Sequence, residues 1–266
     1  MWEFDGRHLE REITLAVVSF QAPELLARLA ACDRVGCFTF GPSKEYQLHD
    51  VYFDTKEREL TRNRWALRKR FTADGCMLTL KGPPRAIGPG GVERVELEAP
   101  CSLEVIRKAI QVLAQEGIAA LPSGKLSDHN DTTRLLQAIF DVIQDRQTFR
   151  VSRSVALDEQ EIPLGDIAFD RVIYDINSVR VVHAEIEIEA RSELSYEMLA
   201  LFANQLCLFF PRELRPWPFG KLATGYGLEK LSRDGTLAGY RDWEGMLVPT
   251  AYDALLRVLN NLEVIS

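Results

Sequence analysis

The chain has 266 residues and is 46% hydrophobic, which suffices for a sizeable core in one large domain or one domain with an appendage. Its net charge of −7 argues against a general nucleic-acid-binding surface, although a local basic pocket remains compatible with it. No apolar stretch approaches the roughly 20 residues that span a bilayer, and the opening Met-Trp-Glu-Phe-Asp-Gly lacks the basic-then-apolar order of a signal peptide.

The first strand expected is Leu9 to Phe20, with Glu10, Glu12 and Thr14 on one side and Ile13, Leu15 and Val17 on the other. Pro23 opens a short helix that gathers Leu25, Leu26 and Leu29 on one face; at the first turn its missing N–H costs nothing. Lys44 to Asp54 reads as a strand, followed by a helical turn near Lys56 to Leu60. In the strand Arg64 to Thr72, Arg64, Ala66, Arg68, Arg70 and Thr72 share one face, and Trp65, Leu67, Lys69 and Phe71 the other. Cys76 to Lys81 sets Met77, Thr79 and Lys81 together. Pro83 to Gly91 reads as a mobile loop, and Val92 to Glu98 brings Arg94, Glu96 and Glu98 to one face.

Leu103 to Glu116 is an amphipathic helix, with Ser102 as N-cap and Gly117 as stop. The stretch around 118–135 is ambiguous. Strands follow at Ala138–Ser152, Val155–Leu157 and Ile167–Asp175. Val179 to Arg191 alternates most clearly: His183, Glu185, Glu187 and Glu189 on one side, Ala184, Ile186, Ile188 and Ala190 on the other. Helices at Tyr196–Phe209 and Ala223–Leu231 flank a proline-rich turn, and another amphipathic helix at Pro249–Leu262 sits in the tail. The five cysteines (Cys32, Cys37, Cys76, Cys101, Cys207) form no C-x-x-C pair and read as reduced thiols of a cytoplasmic protein. His8, His49, His129 and His183 show no zinc spacing.

Strands with one apolar and one ionisable face most often belong to a sheet with one wet side. Two features point instead to a charged interior. Several amphipathic helices are available to cover an outside, and the charged faces are sorted by sign. Arg68, Arg70, Lys81 and Arg94 form a basic group; Glu10 with Glu12, and Glu185 with Glu187 and Glu189, form acidic ones. Carboxylates at period two stand about 7 Å apart and repel, so a cation is expected among them. All-oxygen donors suit Mg²⁺ or Mn²⁺, and converging Arg and Lys suit a polyanion.

In order along the chain, Glu10-Arg11-Glu12-Ile13-Thr14, Tyr52-Phe53-Asp54-Thr55, Leu67-Arg68-Lys69-Arg70, Thr79-Leu80-Lys81-Gly82, Arg94-Val95-Glu96, Arg146, Phe169-Asp170-Arg171, Glu185-Ile186-Glu187-Ile188-Glu189 and Gly220-Lys221-Leu222 with Gly225-Tyr226 resemble the motifs of the CYTH superfamily, the triphosphate tunnel metalloenzymes. The similarity spans about residues 8–230. It implies an α+β fold: a closed antiparallel β-barrel forming a tunnel with a charged interior, flanked by helices outside. Residues 1–231 would be the tunnel domain and 232–266 a C-terminal helical tail. By resemblance, Glu10, Glu12, Asp170, Glu185, Glu187 and Glu189 would hold Mg²⁺ or Mn²⁺ or position water. Arg68, Arg70, Lys81, Arg94, Arg146 and Lys221 would bind triphosphate, with Glu10, Glu12, Lys81, Arg68 and Arg70 catalytic. A tunnel-wall salt bridge is the plainer alternative for each.

The resemblance implies metal-dependent hydrolysis of inorganic triphosphate, thiamine triphosphate or a nucleoside triphosphate. Alternatives are a class IV-like adenylyl cyclase, or a weakly catalytic binding protein. Thr14 motivates the last, because it stands where the family has the lysine of ExExK; a lost charge-assisted hydrogen bond is worth about 1.5–3 kcal/mol. A small-molecule triphosphate is the expected partner, with no nucleic acid and no membrane, and a homodimer stays open.

Overall fold

The computed structural model describes residues 8–118, 131–158 and 162–261. The N-terminal hexapeptide, His129, most of the ambiguous stretch and Leu262 lie outside them. The elements in chain order are β1 (His8–Val17), α1 (Ala22–Ala30), β2 (Arg34–Val35), β3 (Phe38–Phe40), β4 (Lys44–Asp54), α2 (Glu59–Arg62), β5 (Ala66–Thr72), β6 (Gly75–Lys81), β7 (Arg85–Gly88) and β8 (Gly91–Pro100). There follow α3 (Leu103–Gln115), α4 (Thr132–Gln137), β9 (Asp141–Leu157), β10 (Gly165–Ile176), β11 (Val179–Ala190), α5 (Glu193–Phe209), β12 (Leu214–Pro216), α6 (Lys221–Arg233), a 3₁₀ turn at Leu237–Tyr240 and α7 (Pro249–Asn260).

Eight strands close into an antiparallel barrel in the order β10-β11-β1-β8-β6-β5-β4-β9, with β9 returning to β10. The other strands are appended: β12 on β1, β7 on β8, and β3 with β2 on β9. Closure removes the unpaired edges that would otherwise invite other strands. Turns set the registers. Asn177 and Ser178 both take positive φ, 52° and 64°, in the two-residue connection of β10 to β11, a conformation that suits the right-handed twist of a hairpin. The resulting register puts Asp170 opposite Glu185. A slip of one residue would send both carboxylates to the oily side.

The outward strand faces are covered by helices in three apolar clusters. Helices α1 and α5 cover β1, β10 and β11 through Leu25, Leu29, Phe202 and Leu206. Helices α3 and α4 cover β4 to β6 through Ile106, Leu113 and Leu136. Helices α6 and α7 cover one end, where Leu228, Tyr252 and Leu255 surround Trp217. Each such buried side chain contributes about 1.5–3 kcal/mol relative to exposure. Ser102 caps α3 by accepting from the Val105 N–H, and Gly117, at φ 72°, follows its end. Among the described residues no helix is long and apolar enough to cross a membrane.

Several expectations needed correction. The Pro83–Gly91 segment is not simply a loop: Arg85–Gly88 pairs with β8. The two strands expected between Ala138 and Leu157 are one, because β9 pairs with β4, β10 and β3 along its 17 residues. The strand expected from Arg64 begins at Ala66, since Arg64 takes a left-handed φ of 62° as the chain leaves α2. Helix α6 starts at Lys221 rather than Ala223.

Candidate functional site

The barrel encloses a cavity of about 500 Å³ lined by seven cationic and six carboxylate side chains. Ten of the twelve residues expected from sequence line it: Glu10, Glu12, Glu187, Glu189, Arg68, Arg70, Lys81, Arg94, Arg146 and Lys221. Asp170 and Glu185 lie just behind, fully buried, touching the cavity through Lys221. Each group of like charges is interleaved with counter-ions: Asp50 among the arginines of one wall, and Lys221 among the carboxylates of the other. Like charges packed this closely in a dry interior need counter-ions within hydrogen-bond reach.

One wall is built from β4, β5 and β9. Asp50, fully buried, accepts from Arg70 Nε at 2.7 Å and Nη2 at 2.8 Å, and from Arg146 Nη2 at 3.4 Å; Arg68 Nη1 stands 3.7 Å away. Burial would raise the Asp50 carboxyl, but Arg68, Arg70 and Arg146 outweigh it and hold it well below the usual range. Arg146 also donates to the Tyr52 hydroxyl at 2.5 Å and lies over its ring, 4.6 Å from the centroid. Arg68 donates to Thr79 Oγ1 at 3.0 Å and Glu98 at 3.2 Å. The Nε atoms of Arg68 and Arg146 are buried and find no acceptor among the described residues.

The opposite wall comes from β1, β8, β10 and β11. Glu10 accepts from Lys81 Nζ at 2.7 and 2.9 Å and from Arg94 Nε at 2.7 Å. Burial works against its charge, yet Lys81 and Arg94 keep its carboxyl far below the ordinary value. Glu12 is the contrast. Its near contacts are Thr14 Oγ1, which donates at 3.0 Å, and Arg94 Nη2 at 3.8 Å. Burial, then Glu187 and Glu10, push it up to about 8. Glu189, at the mouth where water reaches it, is raised to about 7 by the burial its neighbours impose and by Glu10.

Asp170, Glu185 and Glu187 offer oxygens within 4.8 Å of one another, a spacing that could hold a cation. Here the Lys221 ammonium meets all three, at 2.9 Å from Asp170. Arg150 adds a fork on Asp170, at 2.8 and 2.6 Å, and a bond to Glu187. Burial is again outweighed at Glu187, which Lys221 and Arg150 hold well below the usual carboxylate range. Thr14 lies opposite Glu187 in the β1–β11 register, so Arg150 brings cationic charge to the strand position where a lysine was missed.

The first turn of α6 lines the cavity at the Glu185 end. Gly220, Lys221 and Leu222 face the cavity, Gln144 Nε2 donates to the Leu222 carbonyl at 3.3 Å, and Tyr174 donates to the Lys221 carbonyl at 2.8 Å. Gly225 leaves room for the Gln144 side chain, whose Nε2 stands 1.9 Å from where a Cβ would lie. His8, Glu96 and Glu189 lie toward the other end.

Sequence reasoning missed Asp50 and Arg150. Both share a strand face with residues it did select, Asp50 with Tyr52 on β4 and Arg150 with Arg146 on β9. Period-two parity carried the signal. Asp54, in the Tyr52-Phe53-Asp54-Thr55 segment, is structural: it accepts from the Leu60 and Thr61 backbone N–H groups at 2.9 and 3.0 Å and so holds α2.

The family model for the CYTH domain matches residues 36–215. Among solved structures, the Hippeastrum protein HpAC1, a candidate adenylyl cyclase described as revealing a dominant triphosphatase activity, is 19% identical, with a TM-score of 0.53 over 82% of this chain and 95% of its own. A candidate adenylate cyclase from Bacillus halodurans is 24% identical, with a TM-score of 0.46 over 80% of this chain and 96% of its own. At these identities the likeness is one of fold. No curated protein matches the chain significantly.

Proposed function

This chain belongs to the CYTH family, and from that premise we propose that its tunnel binds a linear triphosphate and hydrolyses it with the help of Mg²⁺ or Mn²⁺. One observation carries the reading: Asp50 gathers three guanidiniums, those of buried Arg68 and Arg146 and half-buried Arg70, yet neutralises one charge. All three arginines line the cavity, where the oxygens of a polyanion would offset the surplus. The lining is mostly ionic, and its Tyr52 ring is already covered by Arg146, which favours recognition of phosphates over recognition of a base.

The chain's carboxylates suit a hard divalent cation at Glu12. The Arg94 guanidinium stands 3.8 Å from this buried carboxylate, beyond hydrogen-bond reach, while Glu187 and Glu10 crowd it. Glu12 and Glu187, with Glu10 and Glu189 nearby, would hold the ion, whereas Asp170 and Glu185 serve as counter-ions of Lys221. The ion, when bound, draws charge from the phosphate oxygens. Arg68, Arg70 and Arg146 bind the phosphate chain from the opposite wall, and Lys81 and Arg94 stabilise charge growing on the leaving pyrophosphate. A carboxylate of β1 orients a water in line with the terminal phosphorus and takes its proton; the new P–O bond forms as the bridging one breaks.

The test is to incubate the protein with Mg²⁺ or Mn²⁺ and inorganic triphosphate, thiamine triphosphate or ATP in turn. Orthophosphate release is expected. Cyclic AMP with pyrophosphate would move the reading to an adenylyl cyclase, and tight binding without products to a binding protein. No binding of any of the three would overturn it.

A further inference from the structure

Behind the tunnel wall, His183 and Glu185 are fully buried beside the rings of Trp217 and Tyr252. His183 Nε2 lies 2.8 Å from Glu185 Oε2, and Nδ1 lies 3.1 Å from the Tyr252 hydroxyl. A carboxylate only accepts, so Nε2 carries the hydrogen. Nδ1 is then the acceptor, and Tyr252 O–H donates to it. Burial pushes the Tyr252 hydroxyl's pKa up, which keeps it a donor. The other oxygen of Glu185 meets the Lys221 ammonium, which reaches on to Asp170 and Glu187. A file of polar contacts thus runs from α7 to the cavity. Tyr252 lies beyond residues 36–215, the part that the family model matches.

Enclosing an imidazole, a carboxylate and an ammonium among aromatic rings costs desolvation that apolar residues would avoid. What the arrangement supplies is orientation, because each group leaves the next one rotamer. We propose that Tyr252 is a positioning residue: acting through His183 it fixes the Glu185 carboxylate, and through Glu185 the Lys221 ammonium at the end of the tunnel. Helix α7 is then part of the site's machinery as well as a cover for the barrel. The kinetic consequence rests on the triphosphatase reading; the geometric one does not.

Tyr252→Phe isolates the hydroxyl, since the ring keeps its edge-on packing against Trp217, 5.6 Å between centroids. The expected result is a fall in kcat of about tenfold with KM changed less than about twofold, the mark of an interaction tightened in the transition state. In the Lys221→Ala background the same change should cost nothing further, because the relay ends there. Nitrogen-15 NMR of the His183 ring should show the Nε2–H tautomer in both proteins, with the Nδ1 resonance shifted in Tyr252→Phe by loss of the hydrogen bond it accepts. Wild-type kcat in Tyr252→Phe, an equal extra loss in the Lys221→Ala background, or an unchanged Nδ1 resonance would each overturn the relay. If the wild-type protein turns over no triphosphate, the proposed function fails and the nitrogen spectra alone decide.

Discussion

Two buried clusters of the barrel are near mirror images in charge. On the β4–β5–β9 wall one carboxylate, Asp50, gathers three guanidiniums, Arg68, Arg70 and Arg146. On the β10–β11 wall one ammonium, Lys221, gathers three carboxylates, Asp170, Glu185 and Glu187. The symmetry fails in one respect. Arg150 joins the acidic cluster as a second cation at 2.6 Å, whereas the second anion of the basic cluster, Glu98, stands 3.2 Å from Arg68 with its side chain 40% exposed to screening water. The basic wall keeps a larger surplus, held in fixed orientation by a single central partner. The comparison teaches that the central ion holds the surrounding charges in place, and that the surplus, not the total, is what a ligand meets.

The strongest way to break the comparison is to remove the surplus itself. Arg68→Ala with Arg70→Ala should weaken triphosphate binding by at least about a hundredfold, two charge-assisted hydrogen bonds at about 1.5–3 kcal/mol each. Calorimetric titration measures this; unchanged affinity would sink the tunnel reading. Asp50→Ala should cost about 3–5 kcal/mol of stability, because buried Arg68 and Arg146 and half-buried Arg70 lose their shared counter-ion. Urea unfolding reads that loss.

Lys221→Met should cost less than Asp50→Ala, since Arg150 remains on Asp170 and Glu187. It also vacates three oxygens within 4.8 Å, so Mn²⁺ should raise the melting temperature of Lys221→Met more than that of the wild type. Equal responses would show that those oxygens do not accept a cation. Acid also tests Asp50. The folded pKa of Asp50 is depressed, so its stabilisation is complete above the ordinary aspartate value, about 3.9, and is lost as pH falls from there toward the folded value. Stability should therefore drop between about pH 4 and pH 2, with a shallower slope in Asp50→Asn. The smallest effect is expected from Thr14→Lys. Arg150 already faces Glu187 at that register, so hydrolysis should rise only a few-fold, by roughly 1 kcal/mol or less; a loss would mean that Arg150 fills the lysine's place completely.

Much of the barrel was legible because alternation is a local property. Val179–Ala190 showed its inward and outward faces in the sequence, and the ordered motifs brought Glu10, Arg68, Lys81 and Lys221 to one cavity. Partner choice was not legible, since registers decide it. Asp50 reaches Arg70 because β4 pairs with β5, and Arg146 because β4 also pairs with β9. No spacing along the chain records either fact. Strand β9 looked broken because one of its edges changes partner near its end, from β4 to β3, while β10 holds the other edge as far as Val155. The tail's tie to the site, 69 residues from His183 to Tyr252, has no sequence signature at all.

The first turn of α6, seated on Gln144 and Tyr174, lines the Glu185 end of the cavity, so a triphosphate is expected to enter and leave by the other end. Traffic through that end would be single file. Under the proposed reaction a triphosphate enters phosphate-end first, and the fragment cut from that end is the inner one. Pyrophosphate must then depart before orthophosphate can, and orthophosphate, last to leave, should compete with incoming substrate. A ring such as trimetaphosphate has no end to lead with, and should be turned away at the mouth.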